Sequence, residues 1–252
     1  MMKVKREDEE MFDSIKDKFE DFLGKTPFGN KKNKRSRKLL GFNSRVGKAD
    51  ESYKHLRTFL LNNTKHEYCP VFAVVSPKEK GGSTVTAANL AISFAQLGKK
   101  VLLIDANMRA PKIDRLFGLS TERGLSDMLS LSGIGILDLS GIAIPSGMEF
   151  LDVLPVGRIP TNPSELLASK SFESVIAKAK SVYEVIFVSL PPVCDYADAC
   201  VVTENVTGYV FTVCAEKTNA KTAHAAMEKL KANGGNIIGT VLTNARKPKN
   251  AT

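Results

Sequence analysis

The chain has 252 residues, 43% of them hydrophobic, with 36 Lys+Arg against 27 Asp+Glu and a formal net charge of +9. That length suits one large or two small domains, and that apolar content excludes a disordered chain. The longest apolar runs, Val101–Ile104 and Val185–Val188 among them, fall far short of the ~20 residues a membrane span needs, and the N-terminus is too acidic for a signal or transit peptide, so a cytoplasmic protein is expected.

The charge is unevenly placed. Residues 1–48 hold 14 Lys+Arg and 8 Asp+Glu, a net of +6, leaving 22 against 19, a net of +3, for residues 49–252. Within this basic extension, Glu7–Leu23 sets Phe12, Ile15, Phe19, Phe22 and Leu23 at helical spacing, an amphipathic helix that Gly24, Pro27 and Gly29 then break. Lys31–Lys38 follows, with six positive charges in eight residues. It reads either as a solvated tail or as a docking element for anionic lipid or an acidic partner. No aromatic residue interleaves the run, which argues against nucleic acid.

From residue 49 the pattern becomes regular. Val71–Val75, Val101–Ile104, Val185–Val188, Tyr209–Val213 and Ile237–Leu242 are short β-rich apolar runs, and Thr86–Gln96, Ser164–Ser181 and Thr218–Asn233 are helical stretches between them. Continuous apolar strands alternating with helices predict an α/β fold: a doubly wound, mainly parallel sheet with helices on both faces. Residues 112–160 read as short helices and loops. The four cysteines (Cys69, Cys194, Cys200, Cys214) have no C-x-x-C spacing and no clustered histidines, so they read as reduced thiols.

In such a sheet, ligands bind beyond the carboxyl ends of the strands. The loop after the first core strand runs Ser76-Pro-Lys-Glu-Lys-Gly-Gly-Ser-Thr84 directly into a helix, where backbone N–H groups and the positive helix end would cradle a phosphate. The match to G-x-x-x-x-G-K-[ST] is incomplete, because Ser83 takes the lysine position; a bare tight turn explains the loop equally well. The second strand ends at Asp105, which could hold Mg²⁺ or orient an attacking hydroxyl, or could simply cap a neighbouring loop. The third site-forming strand carries Ser189 where a nucleotide-hydrolysing fold would place an acid.

Several segments in order carry a resemblance. Glu51-Ser-Tyr-Lys-His-Leu-Arg-Thr58, Ala87-Ala-Asn-Leu-Ala91, Leu97–Asp105, Leu116-Phe-Gly-Leu119, Gly124–Leu129, Leu154-Pro-Val-Gly157, Asn162-Pro-Ser-Glu-Leu-Leu167, Leu190-Pro-Pro-Val193 and Asp198-Ala199 resemble the bacterial tyrosine kinase (BY-kinase) family of capsule and exopolysaccharide synthesis, CpsD/CapB type. That family is related to the MinD/ParA group of P-loop ATPases. The resemblance implies a P-loop NTPase-like domain over residues 49–245, between the extension of residues 1–48 and a short basic tail of residues 246–252. It implies ATP and Mg²⁺ as cofactors, with Lys80, Gly81, Gly82, Ser83, Thr84 and Val85 as the nucleotide loop, Thr84 and Asp105 as metal-binding positions, and Asp105 as the remnant catalytic acid. It further implies self-association through residues 51–58, Glu51 and Arg57 above all, and a membrane-embedded polysaccharide co-polymerase partner that holds the protein at the inner face of the membrane.

The departures from the family pattern matter as much. Against P-G-E-G-K-S-T, Lys80 falls on the first glycine and Ser83 on the lysine; D-x-D becomes Asp105-Ala-Asn107, and D-T-P-P becomes Ser189-Leu-Pro-Pro192. Phosphoryl transfer depends on positioning and charge stabilisation, and losing one such group commonly costs on the order of 10²–10³ in rate. The C-terminal tail also lacks the family's tyrosine cluster. The expectation is a catalytically degenerate scaffold or regulator. The alternatives are an active protein-tyrosine kinase, with Lys78 or Lys80 in the vacant place, and a MinD/ParA-like positioning ATPase.

Overall fold

Among the described residues seven short strands form one sheet, in the order β3-β4-β2-β5-β1-β6-β7. The structure is a computed structural model, and it describes residues 39–40, 48–120, 122–131, 139, 142–215 and 217–245. The expected helix over Glu7–Leu23, the basic run Lys31–Lys38 and the tail 246–252 lie outside the described residues.

Helix α1 (Lys48–Asn63) leads into β1 (Val71–Val75), α2 (Ser83–Ala95) and β2 (Val101–Asp105). Two short helices, α3 (Ile113–Phe117) and α4 (Leu125–Leu131), precede β3 (Ile144–Met148) and β4 (Leu151–Leu154). The chain continues through α5 (Pro163–Leu167), α6 (Lys170–Lys180), β5 (Val185–Ser189), α7 (Asp198–Val201), a 3₁₀ turn (Thr203–Asn205), β6 (Gly208–Cys214), α8 (Ala220–Ala232) and β7 (Ile237–Thr243). All neighbouring strands run parallel except the β3–β4 pair, as the alternation of apolar runs and helices predicts.

The continuous apolar strands follow from burial on both faces. In β1, Val71, Ala73 and Val75 point into one core with Phe172, Val175, Ile176 and Ala179 of α6, while Phe72 and Val74 point into the other, against Leu90, Ile92 and Phe94 of α2. The second core is centred on three rings: Phe72 lies 5.4 Å from Phe187 and 6.2 Å from Phe94, and Phe94 meets Phe187 edge-on at 5.3 Å. Full burial of each such side chain contributes roughly 1.5–3 kcal/mol. Helix α2 is buried almost throughout, because α1 covers its outer side and Arg57 of α1 donates to the Ser93 carbonyl and, at 3.3 Å, to its hydroxyl.

Three features depart from the sequence reading. The stretch Ser164–Ser181 is two helices, with Ser169 capping the second by accepting from the Phe172 N–H. Residues 112–160 include a strand pair as well as short helices. Strand β3 reads Ile-Pro-Ser-Gly-Met, a weak β pattern that survives because it is the edge strand, where proline's missing donor is tolerated. Leu39 and Leu40, within the sequence-defined extension, are buried in the α2-side core, and the Leu40 N–H donates to Asn89 Oδ1 at 2.9 Å.

Candidate functional site

The loop from β1 to α2 has little freedom. A Cβ on Gly81 would lie 2.4 Å from Ser76 Cβ, so only glycine fits there, and Gly82 begins α2 with φ +92°, in the left-handed region glycine tolerates. Lys80 shares that region at φ +60°, although an L-residue there costs about 1–2 kcal/mol. Ser76 Oγ donates to the Lys78 carbonyl at 2.9 Å, and Thr243 Oγ1, at the end of β7, donates to the Gly81 carbonyl at 3.1 Å. The first N–H groups of α2 have no partner within the helix, and they open onto a cavity of about 410 Å³.

All six loop residues expected at the nucleotide, Lys80 to Val85, line that cavity. Asn107, Arg109 and Lys112 reach it from the segment after β2, Pro192 and Tyr196 from the segment after β5, and Lys217 from the segment after β6. Every one of these lies beyond the carboxyl end of a parallel strand, where a doubly wound sheet binds ligands.

Asp105 does not line the cavity. It is 1% exposed, and its carboxylate is committed to the backbone: Oδ1 accepts from the Asn107 N–H at 3.2 Å, and Oδ2 accepts from the Lys112 and Ile113 N–H groups at 3.0 Å each. The carboxylate thereby caps the start of α3. Burial pushes its pKa up to about 6, against the lowering effect of the three N–H donors. Across the sheet, Ser189 is Asp105's register partner, fully buried, with a hydroxyl that has no hydrogen-bond partner among the described residues.

These residues do not fit a divalent ion held by protein carboxylates. Thr84 offers one neutral hydroxyl to the cavity, Asn107 is an amide whose Oδ1 already accepts from the Ala110 N–H at 3.2 Å, and Asp105 faces its own backbone. Among the described residues no group of three or more His, Cys, Asp or Glu side chains could hold a metal ion.

The remaining expected residues are placed as follows. Lys78 forms an ion pair with Asp195, so it is tied to the segment after β5, whereas Lys80 faces the cavity. Glu51 is on the solvent side of α1, paired with Lys54 at 3.1 Å, and Arg57 is engaged within the chain by Ser93.

Sequence reasoning missed several cavity residues, among them Lys112, Tyr196, Lys217 and, most firmly held, Arg109. Its Nε and Nη2 donate bidentately to the fully buried Asp198 carboxylate, at 3.0 and 2.9 Å, the strong geometry for such a pair. Nη2 also donates to Ser164 Oγ at 2.9 Å, Ser164 Oγ donates to Asp198 Oδ1 at 2.6 Å, and the guanidinium lies 4.3 Å from the centre of the Tyr196 ring. The neighbouring carboxylate raises the guanidinium pKa further above its ordinary value. On the other side, Lys229 of α8 donates to the Val193 and Tyr196 carbonyls at 2.7 and 3.1 Å, fixing the segment that carries Tyr196. The signal was present: Asp198 and Ser164 lie in two of the segments that carry the resemblance, but spacing alone does not show that they meet.

Residues 72–251 match the family model described as the CobQ/CobB/MinD/ParA nucleotide binding domain. The tyrosine-protein kinase CpsD of Streptococcus agalactiae is 30% identical over 196 residues, covering 77% of this chain and 83% of that protein. The tyrosine-protein kinase YwqD of Bacillus subtilis is 29% identical over 222 residues, 88% of this chain and 92% of that one. Among solved structures, the kinase domain of the Escherichia coli tyrosine kinase ETK superposes with a TM-score of 0.77 at 28% identity, over 83% of this chain and 81% of that one.

Proposed function

The chain belongs to the bacterial tyrosine-kinase family, with its CobQ/CobB/MinD/ParA nucleotide-binding fold, and from that premise we propose that it is a scaffold or regulator in cell-surface polysaccharide synthesis that binds nucleotide without efficient phosphoryl transfer. The observation that carries this reading is the state of three positions: a neutral Ser83 where the family has its lysine, a buried Asp105 carboxylate held by its own backbone, and a Ser189 hydroxyl at the third motif. Backbone donors of Gly81 to Thr84 do not need the lysine, so binding outlasts catalysis. Calorimetry with ATP, followed by a phosphate-release assay on the same sample, tests this. Binding without turnover is expected, and measurable turnover would overturn it.

In this reading residues 49–245 are the P-loop domain, the extension of residues 1–48 docks on a membrane-embedded co-polymerase, and the exposed face of α1 around Glu51 meets a second copy. Among the described residues no helix is long and apolar enough to cross a membrane, so attachment rests on the partner and the basic run. One feature favours a second reading, an active tyrosine kinase: Lys80 lines the cavity beside the vacant lysine position. That reading requires phosphotyrosine on a partner protein when ATP is added, lost in Lys80→Ala.

A further inference from the structure

Of the two expected metal-binding residues only Thr84 lines the cavity, while several cationic side chains do. Lys80, Lys112, Lys217 and Arg109 line it, and among the described residues Glu79 is the one lining carboxylate. They come from three separate loops, after β1, β2 and β6, so their convergence is a product of the fold and not of one basic run in sequence. Arg109 is balanced by Asp198, but among the described residues none of the three lysines stands in an ion pair. Asn107 and Ser189 have replaced two acids with neutral groups, and Asp105 is turned to the backbone. Among the described lining residues, a divalent ion would face four cationic side chains with Glu79 as the one carboxylate to offset them, whereas a polyanion would meet a net positive lining.

We propose that this cavity binds a nucleoside triphosphate in its metal-free form, with Lys80, Lys112 and Lys217 taking the place of the divalent cation around the phosphates. The proposal rests on the reading of the cavity as a nucleotide site, and it inverts the metal dependence that phosphoryl-transfer sites show. A metal-free triphosphate carries more negative charge than its magnesium complex, so it gains more from the three lysines. The backbone N–H groups at the start of α2 serve either form equally. The metal-free state also fits a protein that does not turn its nucleotide over, since the ion's role in stabilising the transferring phosphoryl group is not needed.

The test is titration of the full-length protein with ATP, by calorimetry, once in excess Mg²⁺ and once in EDTA. Affinity in EDTA equal to or greater than that in Mg²⁺ is expected. The double variant Lys112→Ala/Lys217→Ala is expected to lose at least about tenfold in EDTA, since a charge-assisted contact contributes roughly 1.5–3 kcal/mol. Both side chains are exposed, and circular dichroism of the variant checks that the fold is retained. Binding that falls tenfold or more on chelation overturns the metal-free proposal and leaves the nucleotide site standing. Undiminished binding by the double variant in EDTA also overturns it, because the lysines would then not be the counter-charge. Absence of binding under both conditions overturns the nucleotide reading itself.

Discussion

Ser189, at the carboxyl end of the central strand β5, is fully buried with a hydroxyl that has no partner among the described residues, and leaving such a group unsatisfied costs about 1–3 kcal/mol. Ser189→Ala removes the hydroxyl without opening a large cavity, so it is expected to raise unfolding stability by about 1 kcal/mol, seen as a higher urea midpoint at unchanged slope. Its register partner sets a pH dependence. The folded-state pKa of Asp105, about 6, lies above its ordinary 3.8. Below the lower value both states hold the proton. Between the two the native state keeps a proton that the unfolded chain has lost, so stability falls as pH rises and the full penalty, about 3 kcal/mol, is reached above the upper value. Urea titrations across this window should show the decline in the native protein and not in Asp105→Asn, which has no proton to lose there. A flat native profile would mean that the three N–H donors fully offset burial.

Among the elements, the exit of β4 and the start of α4 approach closely at Gly124. A Cβ on Gly124 would lie 2.2 Å from the Pro155 carbonyl oxygen and 2.3 Å from the Gly157 nitrogen, both backbone atoms that cannot swing aside. The Leu125 and Ser126 N–H groups donate to the Pro155 and Val156 carbonyls at 2.8 and 2.9 Å, locking the approach. Gly124→Ala is expected to lower Tm by roughly 5–10 °C, the equivalent of ~2–3 kcal/mol for a chain this size, read by thermal denaturation followed by circular dichroism. At this scale much was legible in the sequence. The strands buried on both faces announce themselves as unbroken apolar runs, and the β1–α2 loop by its paired glycines. Lys80 takes the left-handed backbone that glycine adopts without strain. What could not be read was the β3–β4 pair, whose edge position excuses its proline, and the Arg109–Asp198 pairing across 89 residues, whereas the local cap made by the Asp105 carboxylate is one of the two roles the sequence allows it.

For the whole molecule, the charge divides into two parts. Residues 1–48 carry a net of +6 and residues 49–252 a net of +3. Within the domain, positive side chains converge on one cavity, and in the extension they form the run Lys31–Lys38. Each basic residue near an anionic membrane surface contributes about 1 kcal/mol, and the attraction falls with salt. Deleting residues 31–38 is therefore expected to abolish most sedimentation with phosphatidylserine vesicles while leaving ATP titrations unchanged. Undiminished vesicle binding would assign the attachment to the domain instead. The hydrogen bond from Thr243 to the Gly81 carbonyl spans 162 positions, and this has a consequence for biogenesis. The loop that lines the cavity is translated well before β7, yet the hydroxyl that pins it comes from the end of that strand. During synthesis the cavity loop therefore stays unpinned until β7 has left the ribosome, and nascent fragments that stop short of β7 would emerge without this hydrogen bond.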